Sequence, residues 1–294
     1  WRLRNPQQLV GLLSSCLPRE IVRQRGGSLR HTLAIQDAGA LAGAALGAGI
    51  LPPPSLGPPP SSSPRNVRGG HCSTPDAAVL HAGRDPVAVC LSPDGSRVFV
   101  AARGEDRLTI SRTDDCSSDD QVDVGRRPRS VCVRADGRFA YVASSADDTV
   151  SVVQLPDAVV VDRVRVGRFP ISCASAPDGR FVYTTCSHSG TLTVISTTTN
   201  TVVRTIYLEP VPRGIGVHPA GESVFVSGSS SGRVLVVGTG DLSVADAVPV
   251  HAGPEGLCLS RDGRRMYVAC HTGWLDVVDV PGRRLLASVK LESN

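Results

Sequence analysis

Proline and glycine keep step along this chain at a spacing of 42 residues, and that periodicity constrains the fold more than any other feature. A Gly-x-x-Pro…Asp-Gly pattern places its prolines at Pro86, Pro128, Pro170, Pro212 and Pro254. Its turn glycines follow at Gly95, Gly137, Gly179, Gly221 and Gly263. Four of these glycines come after an aspartate (Asp94, Asp136, Asp178, Asp262) and the fifth after Ala220. The first repeat reads as four short strands, here called A to D. Val87, Val89 and Leu91 alternate in A; Val98–Val100 form B, Leu108–Ile110 form C and Gln121–Val124 form D. Glycine suits the A–B turn because that turn needs positive φ. Proline is tolerated at the start of A because a strand's first residue need not donate to the ladder. Four short antiparallel strands per repeat make a β-propeller blade. A lone blade cannot cover its faces, so stability must come from burial between neighbouring blades. The expected fold is all-β: a β-propeller of 42-residue four-stranded blades over residues 71–294, with five blades visible.

Residues 1–70 do not share the repeat. Residues 6–25 have loosely periodic leucines, as in a short helix, and residues 38–51 form a 14-residue apolar run behind Arg23, Arg25, Arg30 and His31. A positive flank before an apolar run has the grammar of a secretory or anchoring segment. The run is short of the roughly 20 residues that span a bilayer. An unstructured Ala/Gly-rich leader is the alternative. Residues 52–64 are a Pro/Ser linker.

With a formal net charge of +4 the chain has no global pull toward nucleic acid. Nine cysteines raise the question of disulfides. Cys90, Cys132 and Cys258 occupy one position in three different repeats, and Cys186 and Cys270 share another. Equivalent positions in different blades are not normally within bridging distance, so buried free thiols are the better reading.

The length of the repeat excludes kelch, whose repeats run to about 50 residues, and no Trp-Asp dipeptide marks a WD40 blade. Strand B reads Phe99-Val100-Ala101, Tyr141-Val142-Ala143, Phe225-Val226-Ser227 and Tyr267-Val268-Ala269, and strand C reads Thr149-Val150-Ser151-Val152 and Thr191-Leu192-Thr193-Val194-Ile195. Together with the proline and Asp-Gly marks, these segments resemble the YVTN family within the lactonase/YVTN propeller superfamily. The asparagine that follows strand B in that family is replaced here by Ala102, Ser144, Thr185 and Ala269 or their neighbours. The resemblance implies a secreted, periplasmic or surface protein, with a cytoplasmic one as the alternative. Residues 74–83 read like an unattached strand D, which implies a ring of six or seven blades closed by that strand, with further strands beyond Asn294. A five-bladed ring is the alternative.

Propellers bind ligands at one end of the central channel, the end built from the D–A and B–C loops. The candidate residues there are Arg84, Arg126 and Arg168, which share one loop position; Arg129, Arg213 and Glu255, which each follow a repeat proline; and His271 and Trp274 in the last B–C loop. A set of guanidiniums at a channel mouth favours an anionic ligand. Asp85, Glu105, Asp106, Asp147, Asp148 and Glu209 in the same loops allow the plainer reading of mixed solvated charge. Cys186/His188 and Cys270/His271 do not have the spacing of a zinc site. Gly228–Gly232 matches G-x-S-x-G by letters but lies in a β-repeat loop rather than a strand–helix elbow. No catalytic residue, metal or cofactor is assigned. The expected function is a monomeric, non-catalytic binding or scaffold propeller presenting a ring surface to a protein or surface polymer. It would not bind nucleic acid and would touch a membrane only through an N-terminal anchor. The alternatives are a lactonase-like hydrolase using Arg129, Arg213, Glu255 and His271, and an accessory propeller subunit of a redox enzyme.

Overall fold

Each repeat folds as one four-stranded antiparallel sheet. The computed structural model describes residues 82–114 and 117–291. The sequence-based expectations for residues 1–70, and for most of the strand at 74–83, lie outside those residues. Blade 1 comprises β1 (Pro86–Leu91), β2 (Arg97–Ala102), β3 (Arg107–Arg112) and β4 (Ser118–Asp123). Blade 2 comprises β5 (Pro128–Val133), β6 (Phe139–Ser144), β7 (Thr149–Gln154) and β8 (Val159–Arg165). Blade 3 comprises β9 (Pro170–Ser175), β10 (Phe181–Cys186), β11 (Thr191–Ser196) and β12 (Thr201–Tyr207). Blade 4 comprises β13 (Pro212–Val217), β14 (Ser223–Gly228), β15 (Arg233–Gly238) and β16 (Val244–Pro249). Blade 5 comprises β17 (Pro254–Leu259), β18 (Arg265–Cys270), β19 (Trp274–Asp279) and β20 (Arg284–Lys290). Strands pair in chain order within every sheet, and no helix occurs among the described residues.

The first strand of each blade is innermost, and these strands pack side by side in the series β1, β5, β9, β13, β17. Alternation along strands B and C sends the aromatic of each B strand into the gap between blades. Phe99, Tyr141, Tyr183 and Phe225 are all buried there. Their equivalent in blade 5, Tyr267, is only half-buried, as is Val277, whose equivalents Ile110, Val152, Val194 and Val236 are buried. At the other end of the series Val89 and Val98 are half-buried where Val131 and Ala140 are buried. Packing like that between successive inner strands does not join β17 to β1. The five described blades therefore form an arc with an apolar face open at each end, the geometry of blades in a ring wider than five.

The A–B turns at one end of the molecule are nearly uniform. Gly95, Gly137, Gly179, Gly221 and Gly263 all have φ between +70° and +77°, as the turn reading requires. Asp94, Asp136, Asp178 and Asp262 each accept the N–H two residues on, from Ser96, Arg138, Arg180 and Arg264, at 2.9–3.1 Å. The carboxyls of Asp94 and Asp262 lie below the usual range chiefly because Ser92 and Ser260 donate to them; for Asp136 the chief cause is Arg134. A carboxyl depressed in the folded state stabilises fully above its unfolded value and loses that contribution as pH falls through the folded value. The melting temperature is accordingly expected to hold steady from neutrality down to about pH 4, the ordinary carboxylate range, and to fall below it. Thermal unfolding across that range checks this; a flat profile down to about pH 2 would show that the turn carboxylates contribute nothing.

Candidate functional site

The opposite end carries the D–A and B–C loops, and here a feature of the inner strands sets the geometry. In every blade the A–B pairing is interrupted just after the repeat proline, by one position in four blades and by two in blade 4. Pro86 pairs with Ala102 and Ala88 with Ala101, leaving Val87 unpaired. The same irregularity leaves out Arg129 between Pro128 and Ser130, Ile171 between Pro170 and Ser172, and Glu255 between Pro254 and Gly256. In blade 4 it takes out both Arg213 and Gly214. A β-bulge re-aims the side chain of its extra residue. The re-aimed residues Val87, Arg129, Ile171, Arg213 and Glu255 line one shallow, solvent-open depression at the mouth of the channel, with Ser130, Ser172 and Gly214. The residue before each proline completes the device. Asp85, Arg127, Phe169 and Val211 all adopt left-handed φ of 53–60°, a conformation that costs non-glycine residues energy and is a genuine outlier for a β-branched valine.

Hydrogen bonds between loops hold the bulges in place. Asp106 and Asp148, themselves at left-handed φ, accept the backbone N–H of Arg127 and Phe169 at 2.8 Å. Two of the loop acids expected as solvated charge thus serve as pins between blades. Thr185 Oγ1 donates to the Arg213 carbonyl at 2.7 Å, and Ser227 Oγ donates to the Glu255 carbonyl at 2.7 Å, each reaching from one blade into the next.

Inside the depression Arg213 Nη1 lies 3.3 Å from Glu255 Oε2. The Arg129 guanidinium sits 5.0 Å from the centre of the Phe169 ring. Burial, and then the charges of Arg103, Arg127 and Arg213, hold it below the ordinary arginine range. The Nε atoms of both Arg129 and Arg213 are buried without a hydrogen-bond partner among the described residues.

The remaining candidates sit elsewhere. Arg84 and Arg126 are largely exposed and face Glu105 at 3.4 Å and Asp147 at 2.7 Å. Arg168 is exposed, with its backbone N–H donated to Ser189. None of the three lines the depression. His271 is exposed, its backbone N–H bonded to the Gly253 carbonyl at 2.8 Å. Trp274 is half-buried and stacks on His251 with ring centres 4.2 Å apart.

That stack belongs to a second constellation that the repeat reading passes over. Asp276 on β19 is fully buried; it accepts from His251 Nδ1 at 2.8 Å and from the His251 backbone N–H at 2.7 Å. The Cys270 thiol points at the same carboxylate from 3.8 Å, and burial, followed by Asp276, pushes that thiol up to about 12. A signal for this pair exists in the sequence. The head of the D–A loop is Gly83, Gly125 and Gly167 in the first three blades but Glu209 and His251 in the last two, and the Asp276 position is Thr109, Ser151, Thr193 and Leu235 elsewhere.

Six cysteines, Cys90, Cys132, Cys173, Cys186, Cys258 and Cys270, are buried and free. Burial pushes the Cys90 thiol up to about 12, which suits an inert side chain. Cys186 bonds within its own blade to Thr193, and His188 stacks on Phe169 at 4.1 Å. No group of three potential metal ligands occurs among the described residues. Gly228–Gly232 forms a B–C turn, in which Ser230 Oγ donates to the Pro210 carbonyl at 2.6 Å.

A family profile described as "Lactonase, 7-bladed beta-propeller" matches residues 71–158, a stretch that covers blade 1 and the first three strands of blade 2. No curated protein matches the chain. Among solved structures, Kuenenia stuttgartiensis hydrazine synthase is similar at 18% identity and a TM-score of 0.57, covering 74% of this chain and 90% of that one. The chain is thus a β-propeller similar to those of the lactonase/YVTN superfamily, and the seven blades of the matching profile agree with the open arc.

Proposed function

We propose that this chain is a non-catalytic binding propeller whose recognition face is the end bearing the D–A and B–C loops. One observation carries the reading: the two ends of the molecule differ in how strictly they repeat. The A–B turns use the same Asp-Gly geometry in four of five blades. At the other end a bulge in every blade aims one side chain, of four kinds in all, into one depression: valine, arginine, isoleucine, arginine and glutamate. A fold that repeats its scaffold and varies its re-aimed side chains has the organisation of a recognition surface. The partner is a protein or a surface polymer rather than nucleic acid, since the net charge is only +4. The site of action is the cell exterior or periplasm, supported by the basic flank and apolar run at residues 23–51.

A second reading is lactone hydrolysis, favoured by the profile match over residues 71–158. It would use Arg213 and Arg129 to polarise a carbonyl, with Glu255 as base. Glu255 Oε2 already faces Arg213 Nη1 at 3.3 Å, so that oxygen is engaged before any substrate arrives. A panel of sugar and acyl lactones separates the two. The expected result is no turnover above buffer; turnover that disappears in Arg213→Ala would replace the binding reading with the hydrolase.

A further inference from the structure

Resting on the binding reading for its location, we propose that Arg129 and Arg213 form a receptor for a single carboxylate group borne on a compact carbon skeleton. The argument starts from what arginines do elsewhere in this protein. Arg103, Arg107, Arg126 and Arg134 each meet a carboxylate at 2.5–2.7 Å. Arg129 does not: among the described residues no carboxylate lies within ion-pairing distance of it. Asp85, the acid whose charge favours the Arg129 cation, is itself bonded through both oxygens to Arg103, at 2.6 and 3.0 Å. A guanidinium drawn half out of water beside further guanidiniums is a cost that a bound anion would relieve.

Two features select a planar monoanion over phosphate. The guanidiniums of Arg129 and Arg213 both line the depression, and a planar guanidinium matches the two oxygens of a carboxylate with parallel N–H donors. Glu255 places one negative charge against the site and disfavours a dianion. Val87 and Ile171 line the same depression and offer apolar contact to the carbon attached to the carboxylate, while Ser130 and Ser172 offer hydroxyls. The bulges explain why the sites coincide: two arginines in blades 2 and 4 and two apolar residues in blades 1 and 3 are turned toward one volume by the same irregularity.

Isothermal titration tests this with sodium isobutyrate and sodium gluconate as carboxylates. Isobutyramide serves as the neutral isostere, with sodium phosphate and sodium chloride at matched ionic strength. At least one carboxylate is expected to bind wild-type protein, with the amide and chloride silent and phosphate weaker. Arg129→Met keeps much of the stem's bulk, removes the charge and should weaken the carboxylate about tenfold or more, with Arg129→Lys intermediate. The melting temperature of each variant is measured alongside; should Arg129→Met fail to fold, Arg213→Met takes its place. Absence of carboxylate binding, equal binding of the amide, tighter binding of phosphate, or undiminished affinity in a folded Arg129→Met would each overturn the proposal. The lactone panel fails separately: no turnover and no carboxylate binding removes the receptor and leaves the binding reading standing. Turnover lost in Arg213→Ala removes that reading while carboxylate affinity remains measurable.

Discussion

His251→Ala is expected to lower stability by about 3 kcal/mol, although His251 is a loop residue with a third of its side chain in water. The loss arises at Asp276. That carboxylate has no solvent exposure, and its polar partners are the two nitrogens of His251 and the Cys270 thiol. Removing the imidazole leaves a buried carboxylate with one backbone donor and a weak thiol donor, and breaking a buried pair from one side is far more costly than never having built it. The blades supply the control. His251→Gly with Asp276→Thr rewrites blade 5 in the terms of blades 1 and 3, where glycine and threonine occupy the two positions. The double variant is expected to recover all but about 1 kcal/mol of the loss, and the cycle closed by the single variants His251→Gly and Asp276→Thr gives the coupling energy between the two positions. Chemical denaturation followed by tryptophan fluorescence measures it, since Trp274 stacks on His251 and loses that partner in both variants. Additive losses in the double variant would show that the two side chains are not energetically coupled.

The contrast between that pair and the rest of the fold shows what a repeat makes legible. Strand boundaries, the four-strand grammar and the positive φ of Gly95 and its equivalents follow from periodicity, because one set of local constraints is written five times. The YVTN resemblance of strands B and C agrees with the profile match over residues 71–158 and with the propeller geometry. Three things were not legible. The bulge after each proline depends on how strand B pairs with strand A, which periodicity in either strand alone does not specify. The sorting of Arg129 and Arg213 from Arg84, Arg126 and Arg168 follows from that bulge: a three-residue offset along the chain separates a channel-lining arginine from a solvated one. The His251–Asp276 pair joins positions 25 residues apart, and both depart from the repeat, so searching for what the repeats share passes over them. Comparing the blades for where they disagree is the reading that recovers both the pair and the variable ring of bulge residues.

The same bulges make Gly214 a position at which one added methyl group meets backbone that cannot turn aside. An alanine Cβ there would lie 2.3 Å from the Glu255 carbonyl oxygen, 3.1 Å from the Gly256 Cα and 3.2 Å from the Leu257 nitrogen. All three are backbone atoms of β17, so no side-chain rotation relieves the clash, and β13 and β17 must move apart. Overpacking of this kind costs about 3 kcal/mol. For a propeller domain of this size that is a fall in melting temperature of roughly 6–12 °C. Gly216→Ala provides the comparison on the same strand: its Cβ would meet only the tips of the Leu257 and Leu259 side chains, at 2.6 and 2.8 Å. Those tips can turn aside, so a loss of about 1 kcal/mol is expected. Gly214→Ala should also disturb the channel mouth, because the separation falls between Arg213 and Glu255 and strains the hydrogen bonds from Thr185 and Ser227 to their carbonyls. Carboxylate affinity should therefore drop in Gly214→Ala even well below its melting temperature and stay near wild type in Gly216→Ala. Equal melting temperatures for the two alanine variants would mean that β13 and β17 do not approach as closely as the bulge geometry requires.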